Sequence, residues 1–234
     1  MQRPVAKALD GFLLVATIAA MPVAIWAAMI YAPTEQTMGA VQRIFYFHVP
    51  AAIVSYIAVA VMLAASILYL AKRDLAWDDL SRAATEVALL FCTLVLITGP
   101  IWAKPAWGTW WTWEARLIST LVLEILLLAA LLVRRYASNR DLGARLAAIL
   151  GITIAADVYV VHKAVEWWRG MHPQVFREGG KGSLQDEMQT ALMICMLAMT
   201  LLCVLLIRFR HRGARIDTLT ETLILERAEE GDDR

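Results

Sequence analysis

Two histidines and a dense group of tryptophans carry the chemistry that this chain's residue types make available. His48 lies in Gln42-Arg43-Ile44-Phe45-Tyr46-Phe47-His48-Val49-Pro50, and His172 in Glu166-Trp167-Trp168-Arg169-Gly170-Met171-His172-Pro173. Each imidazole has aromatic near neighbours, and imidazole is a common axial ligand of haem iron. Between them, Trp107-Gly108-Thr109-Trp110-Trp111-Thr112-Trp113-Glu114-Ala115-Arg116 puts four tryptophans into seven positions. Trp102 precedes this stretch, and seven of the nine tryptophans fall either here or at Trp167-Trp168, so the excess is local. Large flat rings where an apolar span meets water anchor a membrane helix. They equally form a platform for a large planar ligand. Trp107, Trp110 and Trp111, at i, i+3 and i+4, share one face if the segment is helical. A porphyrin stacked on such a face buries apolar area without a covalent bond, which suits a carrier that must release its cargo. Two imidazoles flanking a Trp-rich surface make a coherent haem site; two interfacial histidines among belt aromatics are the alternative. Arg43 and Arg116 stand at span ends, where each could neutralise a propionate or simply mark the end of a helix.

The elements that must position these residues are membrane spans. The chain is 60% hydrophobic and 18% charged over 234 residues, with a mean hydropathy of +0.59. Its charges fall between apolar runs rather than through them. Residues 11–34 and 44–71 carry no Asp, Glu, Lys or Arg. Six spans are expected, at approximately 12–32, 48–71, 84–103, 117–133, 146–162 and 188–207, which makes an all-α, polytopic six-helix bundle with a Trp-rich loop. Residues 1–212 read as a single integral membrane domain and 213–234 as a tail. The third and fifth spans are short, so their ends are weakly marked. Pro22 inside the first span predicts a kink or an opening in its packing. Pro50 is acceptable in the first turn of a helix, which places His48 at or just before the start of the second span.

Basic residues orient the chain. The N-terminus, residues 72–86, residues 134–145 and the tail from Arg208 hold 15 of the 22 Lys and Arg, against seven in 32–43, 104–116 and 163–187. That bias predicts both termini in the cytoplasm, with His48, His172 and the Trp-rich loop together on the other side. Residues 12–32 exceed the apolar core of a usual signal peptide, so the first span is expected to stay as an anchor. Cys92, Cys195 and Cys203 lie in spans and no CxxC or CxxCH occurs. Thiol–disulfide chemistry and covalent haem attachment therefore have no support. No GxxxxGK[ST] loop occurs either, so any ATP dependence belongs to a partner.

The remaining ionisable residues read as follows. Asp157 and Glu124 fall inside spans, where an unpaired ionised carboxylate is expensive. They should face the bundle interior, be protonated, or meet a cationic or hydroxyl partner. Glu86 is expected to anchor the third span, and His162 to lie at an interface without pairing to Asp157. Arg208, Arg210 and Arg212 are expected to hold the last span at an anionic inner surface. His211 has no assigned role, and the acidic end from Glu226 to Arg234 is expected to fray.

Three stretches together resemble the tryptophan-rich WWD family of haem-handling membrane proteins of cytochrome c maturation, and within it the small six-span branch. They are Gln42 to Ala52 around His48, Trp107 to Leu117, and His162 to His172. The likeness covers nearly the whole chain in length and span count. It implies a protein that catalyses no covalent change and holds haem b transiently and non-covalently at the outer face of the bacterial inner membrane. His48 and His172 would be bis-histidine iron ligands. Trp107, Trp110, Trp111 and Trp113, with Glu114, Arg116 and Arg43, would complete the site. The cargo would pass to a periplasmic haem chaperone, cytochrome c maturation protein E. The chain would work in an ABC-type complex with the ATPase and permease subunits, cytochrome c maturation proteins A and B, and the single-span cytochrome c maturation protein D. No nucleic acid is implied. This sequence departs from the family pattern at Glu114, where Asp is expected, at Pro173 after His172, and at Lys163 after His162.

Two other functions compete. A b-type cytochrome-like electron-transfer subunit usually pairs histidines deep within its spans, whereas both candidates here stand at one outer edge. A non-haem scaffolding subunit of an ABC exporter leaves the tryptophan density without a purpose.

Overall fold

In the computed structural model, described for residues 4–36, 38–168 and 184–232, the chain forms six long helices. These are α1 (Pro4–Trp26), α2 (Phe45–Lys72), α3 (Leu75–Trp107), α4 (Ala115–Tyr136), α5 (Arg140–Trp168) and α6 (Asp186–Asp232). All six are long and apolar enough to cross a bilayer. In lipid every backbone N–H and C=O must find a partner inside the protein, and helices satisfy them within the segment. The chain is thus an all-α, multi-pass membrane protein. Its surface has the matching inversion: Phe12, Val15, Ile18 and Ile30 are exposed, while the interior is filled with alanine.

Short turns set the order of the helices. Arg73 closes α2 in the left-handed conformation, its N–H bonded to Tyr69 O at 2.8 Å. Asp74 caps α3 by accepting from Ala76 N at 2.9 Å. Asn139 Oδ1 accepts from Leu142 N at 2.9 Å and starts α5 immediately after α4. Helices α2 and α3 are therefore antiparallel neighbours, as are α4 and α5. Helix α2 packs on α3, α5 and α6, α4 packs on α3 and α5, and α1 packs on α6.

The α2–α3 seam is made of small residues, among them Ala51, Ser55, Ala58, Ser66, Ser81, Ala84, Thr85 and Ala88, all buried. Such residues let backbones approach closely where lipid removes the hydrophobic drive between helices. Hydrogen bonds pin the register: Ser55 Oγ donates to Ala88 O at 3.2 Å, and the Ser66 and Ser81 hydroxyls meet at 2.9 Å. Helix α5 joins where Gly151 faces Ser66; a Cβ at Gly151 would stand 2.9 Å from Ser66 Oγ.

Charges close one end of the bundle. Asp78 and Asp79, both buried at the start of α3, pair with Arg134 at 3.0 Å and Arg140 at 2.7 Å. Thr218 of α6 also donates to Asp79, at 2.7 Å. Buried Asp10 of α1 binds Arg208 at 2.7 Å and also Arg212. Glu86, expected only to anchor a span, accepts from Arg82 and Arg210.

The second to sixth expected spans lie within observed helices that run further, whereas the first, 12–32, outlasts α1 and ends at Ala32, one residue past the π-helical turn that follows it. Helix α3 extends from Leu75 to Trp107 because the Asp78 and Asp79 charges are neutralised rather than solvated. Helix α6 does not fray at Glu226: it remains helical through Asp232, and Gly213 does not interrupt it. Pro22 is carried inside α1 without ending it. The irregularity comes just after, as a π-helical turn over Ala27–Tyr31 in which Ala32 N bonds Ala27 O at 2.9 Å.

Removing one member of a buried pair strands the other charge, typically at 3–5 kcal/mol. The variant R134M should accordingly lose roughly 3 kcal/mol of stability, whereas R145A, at the solvent-exposed Arg145–Asp141 pair, should melt close to wild type. Thermal melts of the two variants in detergent check this; equal melting temperatures would contradict it.

Candidate functional site

The end of the bundle opposite the Asp78 and Asp79 pairs gathers the start of α2, the end of α3, the start of α4 and the end of α5. His48 does not stand at a helix start as Pro50 led one to expect. The chain enters α2 earlier, through a 3-10 turn at Ala40–Ile44, so His48 lies within the helix and Pro50 follows in its second turn. The proline ring forfeits only the bond to the Tyr46 carbonyl. His48 Nδ1 is 2.8 Å from Thr98 Oγ1 on α3, and Thr98 Oγ1 donates to Leu94 O at 2.7 Å. Gly99 lies beside the ring: a Cβ there would reach His48 Cε1 at 3.4 Å.

The Trp-rich segment is not helical, so Trp107, Trp110 and Trp111 do not share a helix face. Trp107 is the last residue of α3, and Gly108 ends the helix at φ 76°, with its N–H on Lys104 O at 2.9 Å. Lys104 Nζ then binds Gly108 O at 2.9 Å, and Thr109 Oγ1 donates to Trp111 O at 3.1 Å. The tryptophans consequently differ. Trp107 packs edge-on against Trp102 at 5.2 Å, and Trp111 packs edge-on against Trp113 at 5.9 Å. Trp110 and Trp113 are exposed, the latter at 77%. The polar atoms Trp102 Nε1, Trp111 Nε1 and Thr112 Oγ1 are buried without a hydrogen-bond partner among the described residues.

Two of the sequence segments meet. Trp113, Glu114 and Arg116 at the head of α4 face Ala164 and Trp168 near the end of α5 across an open recess of about 340 Å³. Trp168 continues edge-on to Trp167 at 5.7 Å, and Trp167 to Tyr159 at 5.9 Å. Glu114 occupies the N-cap position of α4, its carbonyl accepting from Leu117 N and Ile118 N. Next to the recess, Lys163 Nζ donates to Glu166 Oε2 at 2.8 Å and holds that carboxyl below its usual range. His162 is exposed on α5. His172 lies outside the described residues.

Arg43 has its own task. Its Nη1 donates to Ala28 O at 3.0 Å and to Met29 O, and its Nη2 to Thr34 Oγ1 at 3.4 Å, tying α2's approach to the end of α1. Of the two carboxylates inside spans, Glu124 finds the hydroxyl partner expected of it: Thr93 Oγ1 donates to Glu124 Oε1 at 2.6 Å. Asp157 Oδ2 is buried with no partner among the described residues. Thr98 and Gly99 were not visible as site residues in the sequence. The signal was Thr98-Gly99-Pro100, a polar, flexible and helix-breaking triplet inside an apolar span.

Among the described residues no cluster of three or more His, Cys, Asp or Glu could hold a bare metal ion. A porphyrin brings four nitrogens of its own, so iron in haem asks the protein only for axial ligands. A single oriented imidazole, at the same end of the bundle as an aromatic, cation-bearing recess, is suited to that and not to a free ion.

The variant G108A should lose about 1 kcal/mol, because an L-residue is forced into the left-handed region. G213A, in mid-helix with open space around it, should gain about 0.5 kcal/mol. Opposite signs in thermal melts are the expected outcome; the same sign in both would refute the role given to Gly108.

Residues 2–224 match the sequence model of the family described as heme exporter protein C. Among curated proteins, the chain is 34% identical to heme exporter protein C of Haemophilus influenzae, over 84% of this chain and 80% of the relative. It is 35% identical to the Bradyrhizobium diazoefficiens protein of that name, over 75% and 67%. Identity to the Escherichia coli K12 protein is 36%, over 61% and 58%. With a family match across almost its full length, and relatives of that name at 34% and 35% identity over most of the chain, this chain belongs to the heme exporter protein C family.

Proposed function

We propose that this chain takes up haem at one end of its bundle, holds it without a covalent bond, and delivers it to a periplasmic haem chaperone during c-type cytochrome biogenesis. The observation that carries the reading is the recess between α4 and α5, where Trp113 and Trp168 offer ring area beside the Arg116 cation. At the same end of the bundle His48 is held by Thr98. His48 and His172 serve as axial ligands of haem b. Trp110, Trp111 and Trp113 contact the porphyrin, and Trp107 supports them from the end of α3. Arg116, with Arg43 as a more distant cation, neutralises propionates. Trp111 Nε1 and Thr112 Oγ1 are polar atoms suited to the same carboxylates, and Glu114 fixes the head of α4 beneath them. The chain itself breaks no bond in its cargo.

The membrane is the bacterial inner membrane, with both termini cytoplasmic and the site on the periplasmic side. The excess of Lys and Arg at the Asp78–Arg134 end supports that orientation. Residues 1–212 form the membrane domain and 213–234 a cytoplasmic tail, whose first part continues α6 and still meets the bundle end through Thr218 on Asp79. Energy and permease functions come from the ATPase and permease subunits, cytochrome c maturation proteins A and B, and assembly includes the single-span cytochrome c maturation protein D.

Ligation is tested by haem occupancy of purified variants. H48A and H172A should each lower it and H211A should not, and added imidazole should partly restore the single variants by filling the vacated position. Full occupancy in the double variant H48A/H172A would end the ligand assignment. Orientation is tested by fusions to a reporter active only outside the cytoplasm: activity near Gly179 and none near Arg140 is expected, and the reverse would exclude periplasmic delivery. The platform is tested by haem on this protein and on the chaperone in the same cells. Wild-type amounts on both in W110A/W111A would reduce these rings to membrane anchors.

A further inference from the structure

We infer that Thr98 is a positioning residue for the iron ligand: its hydroxyl selects the His48 tautomer that presents Nε2 to the metal. The inference rests on the ligand role proposed above for His48. It follows from counting protons. Thr98 Oγ1 has one hydrogen, and at 2.7 Å from Leu94 O that hydrogen is committed to the carbonyl one turn back. The longer approach to Val95 O, at 3.5 Å, lies in the same direction along the helix. What Thr98 Oγ1 offers His48 Nδ1, 2.8 Å away, is therefore a lone pair. A lone pair accepts, so Nδ1 must be the nitrogen that carries the proton. In a neutral imidazole the other nitrogen, Nε2, is then the basic one.

The elements around this bond make it directional. Thr98 is on α3 and His48 on α2, so the bond spans the seam that Ser55–Ala88 and Ser66–Ser81 hold in register further along. A slip of one helix against the other would break it. Gly99 limits the ring from the side: an alanine methyl would just touch Cε1 at 3.4 Å, and anything larger would drive the imidazole away. Position and tautomer are thus set by the same two residues. A hydrogen bond from the second nitrogen of a ligating histidine also raises the basicity of the first. Thr98 accordingly strengthens donation to iron as well as aiming it.

The test uses full-length protein in detergent, titrated with haemin, with T98V as the near-isosteric change and T98S as the conservative one. T98V should weaken haemin binding about 10-fold, the lower end for loss of a partner behind a metal ligand. The haem midpoint potential should rise in T98V, because a poorer donor stabilises ferric iron less. T98S should stay near wild type in both, which a loss of packing alone would not produce. In apo protein with ¹⁵N-labelled histidine, the His48 ring should report Nδ1–H in wild type and T98S, and a shift toward Nε2–H in T98V. Unchanged binding, potential and tautomer in T98V, alongside loss of haemin in H48A, would overturn the Thr98 role while leaving the ligand intact. Wild-type haemin binding in H48A would overturn the ligand reading, and this inference with it.

Discussion

The close approach of α2 and α3 is the constraint on which the rest depends. In lipid nothing apolar is gained merely by bringing two helices together, so contact depends on packing and on polar bonds between them. Ala51, Ala58, Ala84 and Ala88 allow the approach, and Ser55 and Ser66 fix its register against α3. As residue numbers rise along α2, the partners on α3 fall, and the last polar contact toward one end is His48 with Thr98. The imidazole is therefore located by a seam that runs the length of both helices. It is not located by the loop sequence around it.

That arrangement explains which features were legible in the sequence. The six spans were visible because charge-free runs such as 44–71 have no other stable solution in 28 residues. Their ends were not, because a charge stops a span only where it must be solvated. Asp78 and Asp79 are neutralised by Arg134 and Arg140, residues far away in sequence, and α3 begins before them. The same is true of Pro50, whose first-turn preference was overruled by the 3-10 turn that lengthens α2 backwards. In the Trp-rich segment the residue types were informative and their spacing was misleading. Gly108 at φ 76° takes the chain out of the helix after Trp107, so i, i+3, i+4 no longer describes a face. Thr98 was invisible for a different reason: a threonine in a span usually bonds its own i−4 carbonyl, as Thr85 does to Ser81, and only the fold reveals a second partner.

Glu124 and Asp157 show the same division between types and partners. Their cost inside a span could be read from the chain, as could the need for a hydroxyl or cation nearby. Thr93 as the answer for Glu124 could not, because it comes from α3 across to α4. Helix α4 joins the bundle through this bond and through buried Leu123, Leu127 and Ala130. Its head, carrying Glu114 and Arg116, is thus placed by contacts deep in the bundle.

The two ends of the bundle are built from opposite materials, and the difference bears on the proposed release of a planar cargo. At one end, buried aspartates bind arginines from other helices, a geometry that tolerates little movement because any opening strands a charge. At the other, the rings meet edge-on, at 5.2 to 5.9 Å, and Trp110, Trp113, Trp167 and Trp168 are left exposed. Aromatic edges slide at little cost, since such pairs contribute on the order of 1 kcal/mol each beyond their buried area. The rigid end keeps the helices in register and so keeps His48 aimed. The aromatic end can yield around a flat ligand without disturbing that register. On the function proposed above, a fixed imidazole with a compliant rim would let the chain hold haem by coordination and lose it by a small movement of one ligand.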